Sequence, residues 1–199
     1  MALTEPPFNL HQRPLYLTLS PLRLIRISHR SYPDPVHWSR QGRYRFDDPA
    51  APWGVCYTGE DLETALVEVF GDRWIEDPGV PRAVNLQDLR GYDVCELEAS
   101  ARFVVVNLTG EGLSRAGTDA SLCTSTDYAL TRRWALAFMR HPKVPRGLAY
   151  PSRHNPAKVN YALFGDGIAE PRLRVIERRP LPDHPDFYRL LDRYDVAGV

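Results

Sequence analysis

Apolar residues recur along this chain with two periods, which predict two kinds of element. Short segments rich in β-branched and aromatic residues are typical of strands. They cover residues 24–27, 55–58, 81–86, 92–97, 103–108, 148–151, 159–164 and 173–176. Eighteen prolines punctuate the chain, so we expect many loops and short helices.

Helical spacing marks further segments. In residues 61–70 the apolar positions recur at i, i+3, i+4 and i+7, namely Leu62, Ala65, Leu66 and Val69. We expect this helix to end near Gly71. In residues 127–140 the apolar positions are Leu130, Trp134 and Phe138, and Pro142 ends the segment. A surface helix is expected over residues 185–194.

The remaining segments read as connections, with a long irregular stretch at 33–52 and a polar loop at 109–125. Runs of strands with a few interposed helices favour an α+β architecture over a regular parallel α/β repeat. A length of 199 residues is close to that of one typical domain. We therefore expect a single α+β domain with mixed β-sheets and a few short helices.

Composition removes several classes of function. The 25 basic and 25 acidic residues cancel, so the electrostatic footprint of a nucleic-acid binder is missing. No window approaches the ~18 apolar residues of a membrane span. The first residues, MALTEPPFNL, do not read as a secretory signal. Three scattered cysteines without a CxxC favour reduced thiols, so we expect a cytoplasmic protein.

Several polar residues are set into these otherwise apolar segments. Two guanidinium groups, two phenols, a carboxylate and a hydroxyl suit a dianionic ligand that carries a ribose. In chain order they are Arg26, Arg43, Tyr44, Tyr57, Glu68 and Ser152.

Each of these residues also has a purely structural interpretation. Glu68 is predicted at the edge of the buried helix face, where an ordinary solvated glutamate could also lie. Strand alternation sends Arg26 to the face opposite Ile25 and Ile27, where a phosphate or a protein carboxylate could pair with it. Ser152 follows a proline at a strand end, which suits either a residue facing a cleft or a turn serine.

Other chemistries lack their usual motifs. Because there is no HExxH and no close His/Cys cluster, we predict no catalytic metal. Neither GxGxxG nor GxxxxGK[ST] occurs, which argues against a Rossmann site and an ATPase loop. GxSxG is also missing, so a serine nucleophile on an elbow is not indicated.

Six short motifs, taken in order, resemble the RES domain family, which is named for its arginine, glutamate and serine. The resemblance extends over about residues 23–165. The motifs are LIRI at 24–27, GRY at 42–44, VCYT at 55–58, TALVE at 64–68, GLAYPS at 147–152 and NYALF at 160–164. Many members have Gly-Gly-Arg-Trp where this chain has Gln41-Gly42-Arg43-Tyr44.

The resemblance implies a fold like that of the ADP-ribosyltransferases and an enzyme that degrades NAD. It also implies a toxin that pairs with a helix-turn-helix antitoxin of the Xre type. NAD would be a substrate, so no further cofactor is expected. A homodimer is left open. The chain then divides into an extension at 1–22, a catalytic domain at 23–165 and a second extension at 166–199 that packs on the same domain.

The resemblance also suggests roles. The catalytic set is Glu68, Arg26, Tyr57 and Ser152. The substrate-binding set is Arg43, Tyr44, Tyr150 and Asn160. Glu68 would stabilise an oxocarbenium-like centre as the nicotinamide–ribose bond breaks. Water, phosphate or a protein could accept the ADP-ribose, so the open alternatives are a glycohydrolase, a phosphorylase, a mono-ADP-ribosyltransferase and a non-catalytic binding module.

Overall fold

The described part of the chain contains ten strands, six α-helices and two short 3-10 helices, Leu10–Gln12 and Leu181–Asp183. The computed structural model describes residues 3–47, 50, 53–75, 82–165 and 172–199. The strands are β1 Leu17–Leu19, β2 Arg23–His29, β3 Gly54–Gly59, β4 Ala83–Val84, β5 Tyr92–Ala99, β6 Val104–Asn107, β7 Gly147–Pro151, β8 Val159–Gly165, β9 Leu173–Pro180 and β10 Ala197–Gly198. The helices are α1 Leu62–Ile75, α2 Leu86–Leu89, α3 Gly112–Ala116, α4 Ser121–Thr124, α5 Tyr128–Met139 and α6 Phe187–Arg193.

Eight strands form one mixed sheet in the order β1-β6-β7-β8-β3-β2-β5-β9. Strands β6 and β7 are parallel, and the other neighbours are antiparallel. Strands β4 and β10 pair separately and in parallel. This is the α+β single domain with a large mixed sheet and a few helices that the pattern of elements predicts.

Both faces of the sheet are covered by apolar side chains, because successive strand residues point to opposite faces. On β3, Val55 packs with the cluster around α5, whereas Cys56 packs with the cluster on the other face. On β2, Ile27 packs with a third cluster that includes α1 and α6, and Leu24 packs with Cys56. The three cysteines are buried free thiols.

The two long helices begin where the sequence predicts, because an aspartate precedes each of them. The Asp61 carboxylate accepts a hydrogen bond of 2.8 Å from the Thr64 backbone N–H at the start of α1. The Asp127 carboxylate likewise accepts from the N–H groups of Ala129 and Leu130. Such caps satisfy backbone donors that the first turn of a helix leaves unpaired.

Helix α1 differs from its prediction in length and in orientation. It continues through Gly71 to Ile75, so the predicted end at Gly71 was wrong. Val69 is 42% exposed, and Val67 and Phe70 are buried in its place. Gly71 is a close-packing position: a Cβ there would lie 2.5 Å from Cγ of His154. The glycine serves this contact and does not end the helix.

Three other segments also differ from expectation. The predicted strand at 81–86 is a two-residue strand, β4, followed directly by helix α2, and residue 81 lies outside the described residues. The predicted loop at 109–125 contains α3 and α4, which are too short to show a helical period. Helix α6 is not merely a surface helix, because it buries Phe187, Leu190 and Leu191.

The C-terminal residues are joined to the start of α1 by polar contacts around the buried Glu63. The Glu63 carboxylate accepts hydrogen bonds from Nη1 of Arg193 at 2.8 Å and from the Tyr194 hydroxyl at 2.9 Å. Lys158 lies 3.4 Å from the same carboxylate. These contacts hold the pKa of Glu63 below its usual value, although burial opposes them. The last helix is thereby anchored to α1.

No described helix combines the length and the apolar character that crossing a bilayer requires.

We predict that Gly71→Ala destabilises the protein by about 1 kcal/mol. Overpacking against the His154 ring costs ~1–3 kcal/mol, and the better helix propensity of alanine returns only ~0.5–1 kcal/mol. Urea unfolding measures the difference. In a His154→Ala background the ring is gone, so Gly71→Ala should then be neutral or stabilising. Equal destabilisation in both backgrounds would show that the contact is not the cause.

Candidate active site

Strands β2 and β3 are joined at one position and then diverge beside a cavity. Within the described residues, Ile25 and Gly59 form the single pair between these two strands. Residues of both strands, of α1 and of the loop after β2 line a cavity of about 670 Å³. Seven of the eight sequence-predicted site residues lie on its wall, namely Arg26, Arg43, Tyr44, Tyr57, Glu68, Tyr150 and Asn160.

Glu68 is the carboxylate that two other elements hold in place. Its Oε2 accepts a hydrogen bond of 2.7 Å from Nδ2 of Asn160 on β8 and one of 3.3 Å from Oγ of Ser152, which follows β7. One face of the residue remains open to the cavity. Ser152 and Asn160, which lie 84 and 92 positions after Glu68 in the sequence, therefore both contact its carboxyl group.

The surroundings of Glu68 raise its pKa above the ordinary value of 4.5. Burial is the main cause, because a charged carboxylate loses hydration when protein surrounds it. The Arg45 charge and the two hydrogen bonds oppose the shift, and the Asp72 charge adds to it. Glu68 is nevertheless an exposed residue on the cavity wall, so its carboxylate stays accessible to a ligand.

Ser152 lies behind the carboxylate and not on the cavity wall. It is 1% exposed, and its backbone N–H donates to the carbonyl of Lys158 at 2.8 Å. Its hydroxyl donates to Glu68. One interpretation of the sequence has Ser152 facing a cleft. In the structure Ser152 instead contacts Glu68, and Glu68 faces the cavity.

Arg26 bridges the diverging strands. Its Nη1 lies 3.1 Å from the carbonyl oxygen of His37 and 2.9 Å from Sγ of Cys56. Burial raises the pKa of the Cys56 thiol, so the arginine faces a neutral sulfur. As alternation predicts, Ile25 and Ile27 pack with the α1 cluster, and Arg26 reaches the other face of β3. These acceptors leave the guanidinium charge without a neutralising partner among the groups it contacts in the described structure.

Tyr44 and Tyr57 form an aromatic wall. Their ring centroids are 5.6 Å apart with the planes at 62°, and Tyr44 is 53% exposed. The Tyr57 hydroxyl accepts a hydrogen bond of 2.9 Å from the Phe46 backbone N–H. Burial raises the pKa of Tyr57, so its phenol stays neutral. Arg43 is exposed at the cavity rim beside this pair.

Sequence reasoning did not place Arg45 in the site. Arg45 lines the cavity, donates to the Ser125 carbonyl and lies 5.2 Å above the Tyr128 ring. Its charge is the main influence that lowers the pKa of Glu68 against burial. Arg45 lies in a turn that the Asp47 backbone N–H closes on the Tyr44 carbonyl, so no strand or helix periodicity marks it in the sequence.

Three of the other lining residues, Asp72, Arg153 and His154, form one cluster. Asp72 is 3.2 Å from Nη1 of Arg153 and 3.4 Å from Nε2 of His154. The His154 side chain is 8% exposed, and burial lowers its pKa. Asp72 stands four residues after Glu68 on α1, so it shares that helix face. Because the predicted helix ended at Gly71, Asp72 was not predicted to share this helix face.

Comparisons with known proteins identify the family and the fold. The family model described as RES domain matches residues 23–186, most of the chain. The chain belongs to the RES domain family. No curated protein shows significant sequence similarity to this RES protein.

One solved structure resembles this RES protein along nearly its whole length. It is a chain from the crystal structure of the M. tuberculosis MbcT-MbcA toxin-antitoxin complex. The TM-score is 0.62 at 14% sequence identity, and the match covers 94% of this chain and 98% of that chain. At this identity the similarity establishes a shared fold.

We predict that Ser152→Ala raises the pKa of Glu68 further, because the hydroxyl donates to the carboxylate and so favours its charged form. Carbon-13 NMR of glutamate-labelled protein measures this pKa, and Glu68→Gln assigns the signal. Ser114→Ala on α3 is the control, since that serine is exposed and does not line the cavity. An unchanged or lower pKa in Ser152→Ala would contradict the assignment.

Proposed function

We propose that this RES protein cleaves the nicotinamide–ribose bond of NAD and acts as a toxin by depleting NAD. One observation carries the proposal: a single cavity of about 670 Å³ brings the Glu68 carboxylate together with unpaired guanidinium charge and aromatic rings. Sites for small molecules commonly have ~300–1,000 Å³ and a few converging polar groups. A dinucleotide supplies the matching anions, ribose hydroxyls and planar bases.

The charge of the cavity favours a diphosphate. Four arginines line it, Arg26, Arg43, Arg45 and Arg153, against the two carboxylates of Glu68 and Asp72. A guanidinium group donates paired hydrogen bonds to phosphate and stays charged. We assign the diphosphate to Arg26 and Arg43, because neither is paired with a carboxylate among the described residues. Arg153, by contrast, is already paired with Asp72.

The proposed reaction places Glu68 beside the ribose carbon that loses nicotinamide. As the bond between that carbon and the pyridinium nitrogen breaks, the bonding electrons leave with neutral nicotinamide. The ribose becomes oxocarbenium-like, and the ionised Glu68 stabilises it. A water, which releases one proton to the solvent, or an inorganic phosphate oxygen then attacks the same carbon. Since the departing group is neutral, no proton donor is required.

The other predicted residues position Glu68 and the substrate. Asn160 and Ser152 fix the rotamer of Glu68, so its charge is already oriented before substrate binds. Tyr57 and Tyr44 supply the ring faces against which nicotinamide would lie. Tyr150 is 3% exposed and lines the cavity with a neutral phenol, because burial raises its pKa well above the usual value.

A toxin of this kind needs a partner that restrains it, and we propose an antitoxin of the Xre helix-turn-helix type. Support comes from family membership and from a shared fold with a chain of a toxin-antitoxin complex. The cationic and aromatic rim around Arg43 and Tyr44 is an accessible surface for such a partner.

The direct test follows nicotinamide release from NAD, with and without phosphate. We expect turnover by the wild type, and a loss of at least ~100-fold in kcat for Glu68→Gln, because removing one preorganised charge from the transition state costs about that much. On induction in bacterial cells, the wild type should lower NAD and stop growth, and Glu68→Gln should do neither. Glu111→Gln is the matched control, since Glu111 is exposed and does not line the cavity.

Three results would contradict the proposal in different ways. No nicotinamide release by the wild type in either buffer removes the NAD-cleaving function. Equal activity of wild type and Glu68→Gln leaves the activity but removes the assigned mechanism. ADP-ribose found covalently on a protein, with little free product, replaces cleavage by mono-ADP-ribosyl transfer.

We also predict that the acidic limb of kcat/KM lies above pH 4.5. Glu68 must be ionised to act, and burial raises its pKa above the ordinary value of 4.5. Because kcat/KM reports the groups of the free enzyme, it should be retained at neutral pH and fall as the pH drops through the raised pKa. A profile of kcat/KM from pH 4 to 8 measures this, and Ser152→Ala should move the limb upward. A limb below pH 4.5 would count against Glu68 as the titrating group.

A further inference from the structure

Two exposed rings stand at the Arg26 end of the cavity and have no role in the mechanism above. Tyr32 and His37 both line the cavity, their centroids are 6.4 Å apart, and their planes are within 22° of parallel. Tyr32 is 55% exposed and His37 is also exposed. Near-parallel rings that both face one cavity offer flat apolar surfaces to a planar group.

The loop that carries these rings is held in place by its backbone. The Tyr32 N–H donates to the His29 carbonyl at 3.0 Å, and the Val36 N–H donates to the Asp34 carboxylate at 2.8 Å. From outside the loop, Nη1 of Arg178 donates to the Pro33 carbonyl at 3.1 Å.

Arg26 ties the other end of this loop to the site. Its Nη1 donates to the carbonyl of His37 at 3.1 Å. Prolines at 33 and 35 further restrict the segment between the rings. The rings are therefore preorganised while their faces stay open, and this lowers the entropy cost of binding a ligand there.

The sheet order fixes where the rings lie relative to the reacting bond. Asn160, which holds Glu68, is on β8, Tyr57 is on the next strand, β3, and Arg26 is on β2. Adjacent strands are ~4.8 Å apart, so Glu68 and Arg26 are anchored at least ~10 Å apart across the sheet. In a dinucleotide the diphosphate separates the reacting ribose from the second nucleoside. With Glu68 at the first ribose and Arg26 at the diphosphate, the second base reaches the loop after β2.

We propose that Tyr32 and His37 form the binding site for the base of the nucleotide half that does not react. This rests on the function proposed above, in which that base is adenine. The site takes a planar purine by stacking, and it contributes to substrate affinity without touching the bond that breaks. Loss of one such stack commonly weakens binding by about tenfold.

The test compares two substrates in the wild type and four variants. For NAD, Tyr32→Ala and His37→Ala should each raise KM about tenfold and leave kcat unchanged. Nicotinamide mononucleotide lacks the adenylate half, so its kcat/KM should be the same in all variants. Tyr32→Phe keeps the ring and should restore the wild-type KM for NAD. Tyr188→Ala is the control, since Tyr188 is 52% exposed on α6 and does not line the cavity.

The outcomes separate this inference from the proposed function. If NAD is turned over but KM is unchanged in Tyr32→Ala, or both substrates lose activity equally, the base site is wrong and the cleavage remains. If the wild type does not turn over NAD, calorimetry with AMP decides: binding that weakens about tenfold in Tyr32→Ala but not in Tyr188→Ala supports a purine site. No AMP binding, or equal binding by all three proteins, overturns it.

Discussion

The hydrogen bonds that Asn160 and Ser152 donate to Glu68 join helix α1 to the two strands beneath it. The rest of the site depends on this contact. Protein around the carboxylate favours its protonated form, and the two hydrogen bonds oppose this shift. The donors, one on β8 and one just after β7, also fix the orientation of the side chain above the sheet.

The cavity in front of that carboxylate follows from the backbone. Strands β2 and β3 pair at Ile25 and Gly59 and then separate, so polar side chains can extend into the gap without breaking a continuous ladder. Arg26 spans this gap through Cys56 and the His37 carbonyl. An arginine bound to neutral acceptors is fixed in position but keeps its attraction for anions.

Much of this architecture is readable from local sequence. The i, i+3, i+4 spacing at Leu62, Ala65 and Leu66 locates α1, and Asp61 and Asp127 mark helix starts by a mechanism that operates within three residues. Strand alternation places Arg26 on the face of β2 opposite to that of Ile27. These signals involve residues that are close in sequence, so they can be recognised without knowledge of the fold.

What escaped prediction depends on contacts distant in sequence. Gly71 looks like a helix end until His154, 83 positions later, is seen against it. Ending the helix there removed Asp72 from consideration. The direction of the Ser152 hydroxyl and the influence of Arg45 on Glu68 likewise require the tertiary arrangement, because residue spacing carries no information about which strands become neighbours.

The polar cluster at Glu63 has a consequence for how this molecule opens. Arg193 and Tyr194 hold the first turn of α1 in place. Glu68 lies about one turn further along the same helix. If the last helix detached, Glu63 would keep its charge in a mostly enclosed place with fewer partners, and the beginning of α1 would lose its lateral support. We therefore expect fraying of the chain end and loosening of the cavity wall to occur together, with amide-exchange protection that the two segments share.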